Sequence, residues 1–169
     1  LGANSSGELG QGDMLPRGSS AADLGAGLAR VPLGSGVSVK TLASGAGTCA
    51  LTTTGAVKCW GANGSGELGI GDTNARGDEP GEMGNALPTV DVGAGRTAIA
   101  LTQGSGFACA ILDTNAVKCW GANDSGQLGL GDTSARGDEA GEMGDALPTV
   151  DLGTGRTARA IAAGGPSIC

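Results

Sequence analysis

At 169 residues the chain has the length of one ordinary domain, yet about a fifth of it is glycine and only Trp60, Phe107 and Trp120 are aromatic, which excludes a core built on large side chains. The interior must be thin, made of Ala, Val, Leu and Ile with backbones drawn close, as glycine permits. A formal charge of −7, with three lysines and seven scattered arginines, argues against a nucleic-acid footprint, and the absence of histidine removes the commonest general base and zinc ligand.

Taken in chain order, the first recognisable unit is GANSSGELGQGDMLPRGSSAADLGAGLARVPLG, Gly2 to Gly34. The next, TCALTTTGAVKCWG (Thr48 to Gly61), is two short apolar runs around a Thr-Thr-Gly turn, the pattern of a β-hairpin. From Gly61 the chain reads GANGSGELGIGDTNARGDEPGEMGNALPTVDVGAGRTA, in which short strands are expected at Thr89–Val92 and near Ala98–Leu101, completing a four-stranded unit. FACAILDTNAVKCWG (Phe107 to Gly121) repeats the hairpin with an Asp-Thr-Asn turn, residues that tolerate left-handed geometry. A three-residue loop at Asp113–Asn115 sets Cys109 opposite Cys119 and Ile111 opposite Val117, all on one face. Ala108, Ala110, Leu112, Ala116, Lys118 and Trp120 then share the other. Both faces are largely apolar, as suits a sheet packed between two neighbours. No apolar run approaches the roughly 20 residues of a membrane span. No signal peptide is visible, and the chain opens on Leu1 rather than Met.

Trp60 and Trp120 lie 60 residues apart, as do Cys49, Cys109 and Cys169. About two-thirds of the positions from Gly61 to Cys109 are identical to those 60 residues on, and the Gly2 copy is offset by 59. That period is longer than those of helical solenoids and nearer the β-propeller range. Glycine every few residues argues against helices, at about 1 kcal/mol per helical site. The reading divides the chain into a partial first repeat (1–48), a second (49–108), a third (109–168) and the start of a further one at 169.

The run CALTTTGAVKCWGANGSGELGIGD resembles the repeat of the regulator of chromosome condensation family, whose hallmark is a hairpin entering Trp-Gly-x-Asn and then Gly-x-Leu-Gly-x-Gly-Asp. The matching residues are Trp60, Gly61, Asn63, Gly66, Leu68, Gly69, Gly71 and Asp72, then Trp120, Gly121, Asn123, Gly126, Leu128, Gly129, Gly131 and Asp132. The first copy keeps Gly2, Asn4, Gly7, Leu9, Gly10, Gly12 and Asp13, with Leu1 in the Trp place. The resemblance implies an all-β fold of short antiparallel strands arranged as propeller blades, part of a seven-bladed propeller of which this chain is a piece. Members exchange nucleotide on a small GTPase, bind chromatin, inhibit enzymes, sense ultraviolet light or serve as modules in larger proteins. Neither a protruding exchange wedge nor a tryptophan cluster for light sensing is visible here. Trp60 and Trp120 are expected to lock each blade to the next.

Among candidate sites, Cys49 with Cys59 and Cys109 with Cys119 are either cross-strand disulfides, implying an oxidising, lumenal or extracellular compartment, or small buried thiols. A metal at Cys-x9-Cys lacks ligands. The acidic loops hold Arg76, Asp78, Glu79 and Glu82, and again Arg136, Asp138, Glu139 and Glu142. They are expected to be solvated, with Arg76 paired to Asp72 or Asp78, and they are the expected contacts for a protein partner. Their spacing does not match a calcium loop, the two Arg-Gly-Asp tripeptides recur for structural reasons, and Gly69-x-Gly71 precedes no helix that could cradle phosphate. No cofactor and no catalytic pairing of nucleophile with base is expected. The sequence therefore points to a non-catalytic binding scaffold or peripheral subunit of a larger assembly. The alternatives are guanine-nucleotide exchange on a small GTPase and, more remotely, a hydrolase with an acidic rim site.

Overall fold

A computed structural model describes residues 1–169. Two three-stranded antiparallel sheets carry the fold: β1 (Val39–Ser44), β2 (Gly47–Thr52) and β3 (Val57–Gly61), then β4 (Ala98–Gln103), β5 (Phe107–Leu112) and β6 (Val117–Gly121). A two-stranded pair, β7 (Ala163–Gly164) and β8 (Ser167–Ile168), follows. Helical geometry is limited to three single 3-10 turns, and no helix is long and apolar enough to cross a membrane.

The hairpin turns close as the sequence dictates. Thr52 N–H donates to Ala56 O (2.9 Å) and Leu112 N–H to Ala116 O (2.8 Å), each leaving a three-residue loop. The third loop residue is left-handed in both: Gly55 at φ 83° and Asn115 at φ 63°, the one non-glycine residue at positive φ. The register places Cys49 opposite Cys59 and Leu51 opposite Val57, then Cys109 opposite Cys119 and Ile111 opposite Val117.

Thr89–Val92 is not a fourth strand. Pro88 offers no N–H, only the Val90 N–H reaches β3, donating to Val57 O (2.8 Å), and the chain turns away at Gly93 (φ 118°). Val90 and Val92 are nonetheless buried, so the segment serves the core without completing a ladder.

The sheets stack face to back. Cys49, Leu51, Val57 and Cys59 on one face of the first sheet join Ala108, Ala110, Leu112 and Trp120 on the opposite face of the second in one cluster of 13 buried residues. The far face of the second sheet (Phe107, Cys109, Ile111, Val117, Cys119) is covered by Val150, Leu152, Ala158, Ile161 and Ile168. Small alanines on one side let the backbones approach and give the thin core that the composition requires.

Each tryptophan is the bolt between repeats. Trp120 Nε1 donates to Glu67 O (3.1 Å) and Trp60 Nε1 to Glu8 O (3.0 Å), both in the Gly-x-Leu-Gly turn of the preceding repeat. Gly69 (φ 66°) admits this approach, since a Cβ there would lie 2.7 Å from Trp120 Nε1.

Candidate partner-contact loops

The loop after each tryptophan is built around a buried asparagine. Asn63 Nδ2 donates to Asp72 O (2.7 Å) and Asn74 O (2.9 Å), while its Oδ1 accepts from Leu68 N–H (2.9 Å). Asn4 and Asn123 make the same bonds in their own repeats. One amide thus gathers strand end, turn and loop. Asn63→Ala is expected to cost about 2–3 kcal/mol by orphaning the buried Leu68 N–H and two carbonyls. Urea unfolding of the variant measures this, and a loss under 0.5 kcal/mol, the ordinary scatter of surface changes, would refute the role.

Arg76 is fixed to the same frame. Its guanidinium pairs with Asp72 (2.6 Å) and donates to Asn74 O and Ala75 O. Arg136 repeats this with Asp132 (2.7 Å), Ser134 O and Ala135 O. The Ser134 N–H and then the Arg136 guanidinium hold the Asp132 carboxyl below its ordinary range.

Beyond the arginine the loop docks on the preceding repeat. Gly77 O accepts from Gly12 N–H (2.9 Å) and Gly137 O from Gly71 N–H (3.0 Å). A Cβ at Gly7 or Gly66 would overlap the Asp78 or Asp138 backbone, so only glycine fits beneath. Gly77 and Gly137 are buried, and the Arg-Gly-Asp tripeptides are not displayed. Glu82 turns inward, accepting from Gly77 N–H (2.8 Å) and Glu79 N–H (3.1 Å), as Glu142 does from Gly137 and Glu139. Asp78 and Asp138 are half-buried, each with one carboxylate oxygen lacking a partner. Glu79 and Glu139 are exposed, beside a polar hollow of about 670 Å³ in the first of the two loops. The carboxylates do not gather into a set of three that would hold a metal ion.

The cysteines pair across the hairpins, Cys49 with Cys59 and Cys109 with Cys119, each pair 4.1 Å apart at Cα and fully buried. Cys169 is free and exposed.

Sequence reasoning missed two lysines as structural groups. Lys58 Nζ donates to Leu87 O (2.6 Å) and Gly84 O (3.3 Å), and Lys118 Nζ to Gly144 O (2.7 Å), pinning the far end of each inserted loop to the sheet. Burial pushes the Lys58 ammonium below the ordinary lysine range. The signal was a lysine on an otherwise apolar face, in Val-Lys-Cys-Trp. An apolar groove of about 540 Å³, bordered by Leu9, Val31, Leu42 and Trp60, lies on the open face of the first sheet. The corresponding face of the second sheet is covered by the first.

This geometry has counterparts of the same fold among known proteins. The model of the regulator of chromosome condensation (RCC1) repeat matches residues 42–67 and 90–127. Among solved structures, human WBSCR16 is 20% identical over 80% of this chain and 32% of its own, with a TM-score of 0.55. Yeast RCC1 (Prp20), solved bound to Kap60, is 23% identical over 79% of this chain and 27% of its own, at 0.52. Prp20p from Saccharomyces cerevisiae, described with its binding to Gsp1p and histones, is 14% identical over 96% of this chain and 36% of its own, at 0.62. The chain therefore spans about a third of the length of these structures. Repeat match, hairpin register and tryptophan bolt agree: the chain carries the RCC1 repeat over residues 42–67 and 90–127 and folds as blades of a β-propeller.

Proposed function

We propose that the chain is a non-catalytic protein-binding scaffold, or a peripheral subunit of a larger assembly, that meets a partner through the loops Arg76–Glu82 and Arg136–Glu142. The observation that carries this reading is repetition of a surface: the same loop frame presents Glu79 and Glu139 to solvent one blade apart. The rest of each loop is consumed in holding that presentation. Two outward acidic tips on a chain of charge −7 favour a basic protein surface spaced to match. The sequence repeats of this scaffold are read as 49–108 and 109–168, preceded by a partial one in 1–48 and with a further one starting at 169, and each three-stranded sheet straddles a boundary, β2 crossing 48/49 and β5 crossing 108/109. The two buried disulfides support a lumenal or extracellular setting.

The test is to purify the tagged protein with its partner, then measure association for the wild type and for a Glu79→Lys, Glu139→Lys variant. Reversing both tips is expected to slow association about tenfold or more at low salt, while thermal stability is unchanged. Association unaffected by the double reversal would remove these loops from the interface. Nucleotide release from a small GTPase, stimulated by the protein, would replace the scaffold reading by exchange.

A further inference from the structure

We propose that Met83 and Met143 are peroxide-reactive modification sites, and that oxidation of either thioether to the sulfoxide releases its inserted loop from the preceding repeat. The two side chains hold equivalent places in consecutive repeats. Met83 packs against Ala50, Trp60 and Leu87, and Met143 against the larger cluster that contains Trp120. Each residue is half-buried, so it keeps part of its surface in solvent while the rest fills the joint between repeats.

The glycines of that joint locate the two thioethers. A Cβ on Gly77 would stand 3.2 Å from Met83 Sδ, and also 2.9 Å from Gly7 O and 3.2 Å from Gly10 Cα of the preceding repeat. A Cβ on Gly137 would likewise stand 3.2 Å from Met143 Sδ, 3.0 Å from Gly66 O and 3.1 Å from Gly69 Cα. At the methyl end, a Cβ on Gly10 would meet both Met83 Cε and Trp60 Nε1 at 2.9 Å. One on Gly69 would meet Met143 Cε at 3.0 Å and Trp120 Nε1 at 2.7 Å. Each thioether thus reaches from its own loop to the indole that bolts the repeats together.

A sulfoxide does not suit that position. It is polar and carries a strong acceptor oxygen where an apolar side chain stood. Every N–H donor around Met83 is already committed: Trp60 Nε1 to Glu8 O, Gly10 to Gly7 O, Gly77 to Glu82 and Gly12 to Gly77 O. Around Met143 the same holds for Trp120 Nε1, Gly69, Gly137 and Gly71. The new oxygen must take one of these donors or turn out to water, and either course pulls the side chain from the joint. The chemistry needs only hydrogen peroxide. A sulfur lone pair takes one peroxide oxygen, the O–O bond breaks, and the departing hydroxide collects the proton of the transferred oxygen and leaves as water. Sulfur is oxidised as the peroxide is reduced. In the first copy Leu24 stands at the aligned position, where this reaction has no counterpart. The modification acts on how the loop is attached, whatever the loop binds.

The test treats the whole protein with hydrogen peroxide after Cys169, free and exposed, has been alkylated, and locates each sulfoxide by peptide mass. Met14, exposed in the first copy, is the accessible reference. Met83 and Met143 are expected to oxidise in the folded protein, more slowly than Met14. Amide hydrogen exchange should then show about a tenfold loss of protection at Gly12 for the Met83 sulfoxide and at Gly71 for the Met143 sulfoxide, with Leu112 in its hairpin turn unchanged. Met83→Leu, close in volume and inert to peroxide, should keep Gly12 protected while Gly71 still loses protection. Methionine sulfoxide reductases, one for each epimer, should restore both amides in the wild type. Three results would each overturn the proposal: both methionines untouched until the protein unfolds, sulfoxides that leave Gly12 and Gly71 as protected as before, or a Gly12 loss that persists in Met83→Leu.

Discussion

Replacing Trp120 with alanine is expected to destabilise the chain by about 3–5 kcal/mol, whereas the same change at Trp60 should cost distinctly less. Trp120 is fully buried within the cluster that joins the two sheets, and its indole N–H satisfies Glu67 O in the preceding repeat. Truncation leaves a cavity between the sheets, strands that carbonyl, and removes the largest side chain from a core otherwise made of alanines and small aliphatics. Trp60 makes the equivalent bond to Glu8 O, but it borders the open groove and belongs to a cluster of only three buried residues. Because stacked repeats draw stability from their neighbours, Trp120→Ala should also uncouple the two sheets. A single urea transition would then split into two. Equal losses at the two positions, with one sharp transition retained, would show that the tryptophans act within their own blades only.

Reducing both disulfides is expected to remove about 2–3 kcal/mol per bridge, as the chain-entropy model gives for loops of this size. Each bridge joins residues 10 apart in sequence, and the two lie in different sheets, so their contributions should nearly add. All four sulfurs are sealed inside the packed faces. The native protein should therefore resist reductant, with both bridges yielding once urea opens the blades. Unfolding curves with and without reductant give the size of the effect, and mass after thiol alkylation gives the number of bridges broken. Five thiols alkylated in unfolded protein that has never been reduced, rather than Cys169 alone, would show that the four hairpin cysteines serve as free core residues instead.

The hairpins were fully legible in the sequence because all their determinants are local. Alternating apolar residues define two faces, and a three-residue turn with a left-handed third position fixes which cysteine meets which. The tryptophans were legible as locks because large side chains are so scarce that each must be spent on packing. Thr89–Val92 was misread as a strand because β-branched residues there serve burial, while Pro88 and the turn at Gly93 prevent a ladder. The acidic loops show the other limit. Their composition suggests a solvated charge cluster, but Glu82 and Gly77 are claimed by backbone partners, in part from a repeat some 65 residues away, as with Gly12 N–H on Gly77 O. No local pattern announces that. Glycines at Gly7 and Gly66, required where the loop passes, are its only trace in the sequence.

The face-to-back stacking also gives the molecule a direction. One side of each sheet offers the cysteine bridge with larger aliphatics, and the other offers alanines and an indole that reaches backward to the turn before it. Two such surfaces fit only when unlike sides meet. A pair of chains related by a twofold axis would set like against like, so blade-to-blade association of this kind is head-to-tail. Such contacts extend by constant rotation until they close into a ring or run on. Duplication of one unit lengthens the array without requiring any surface to be redesigned, and the two-thirds identity of consecutive repeats is the sequence record that such growth leaves.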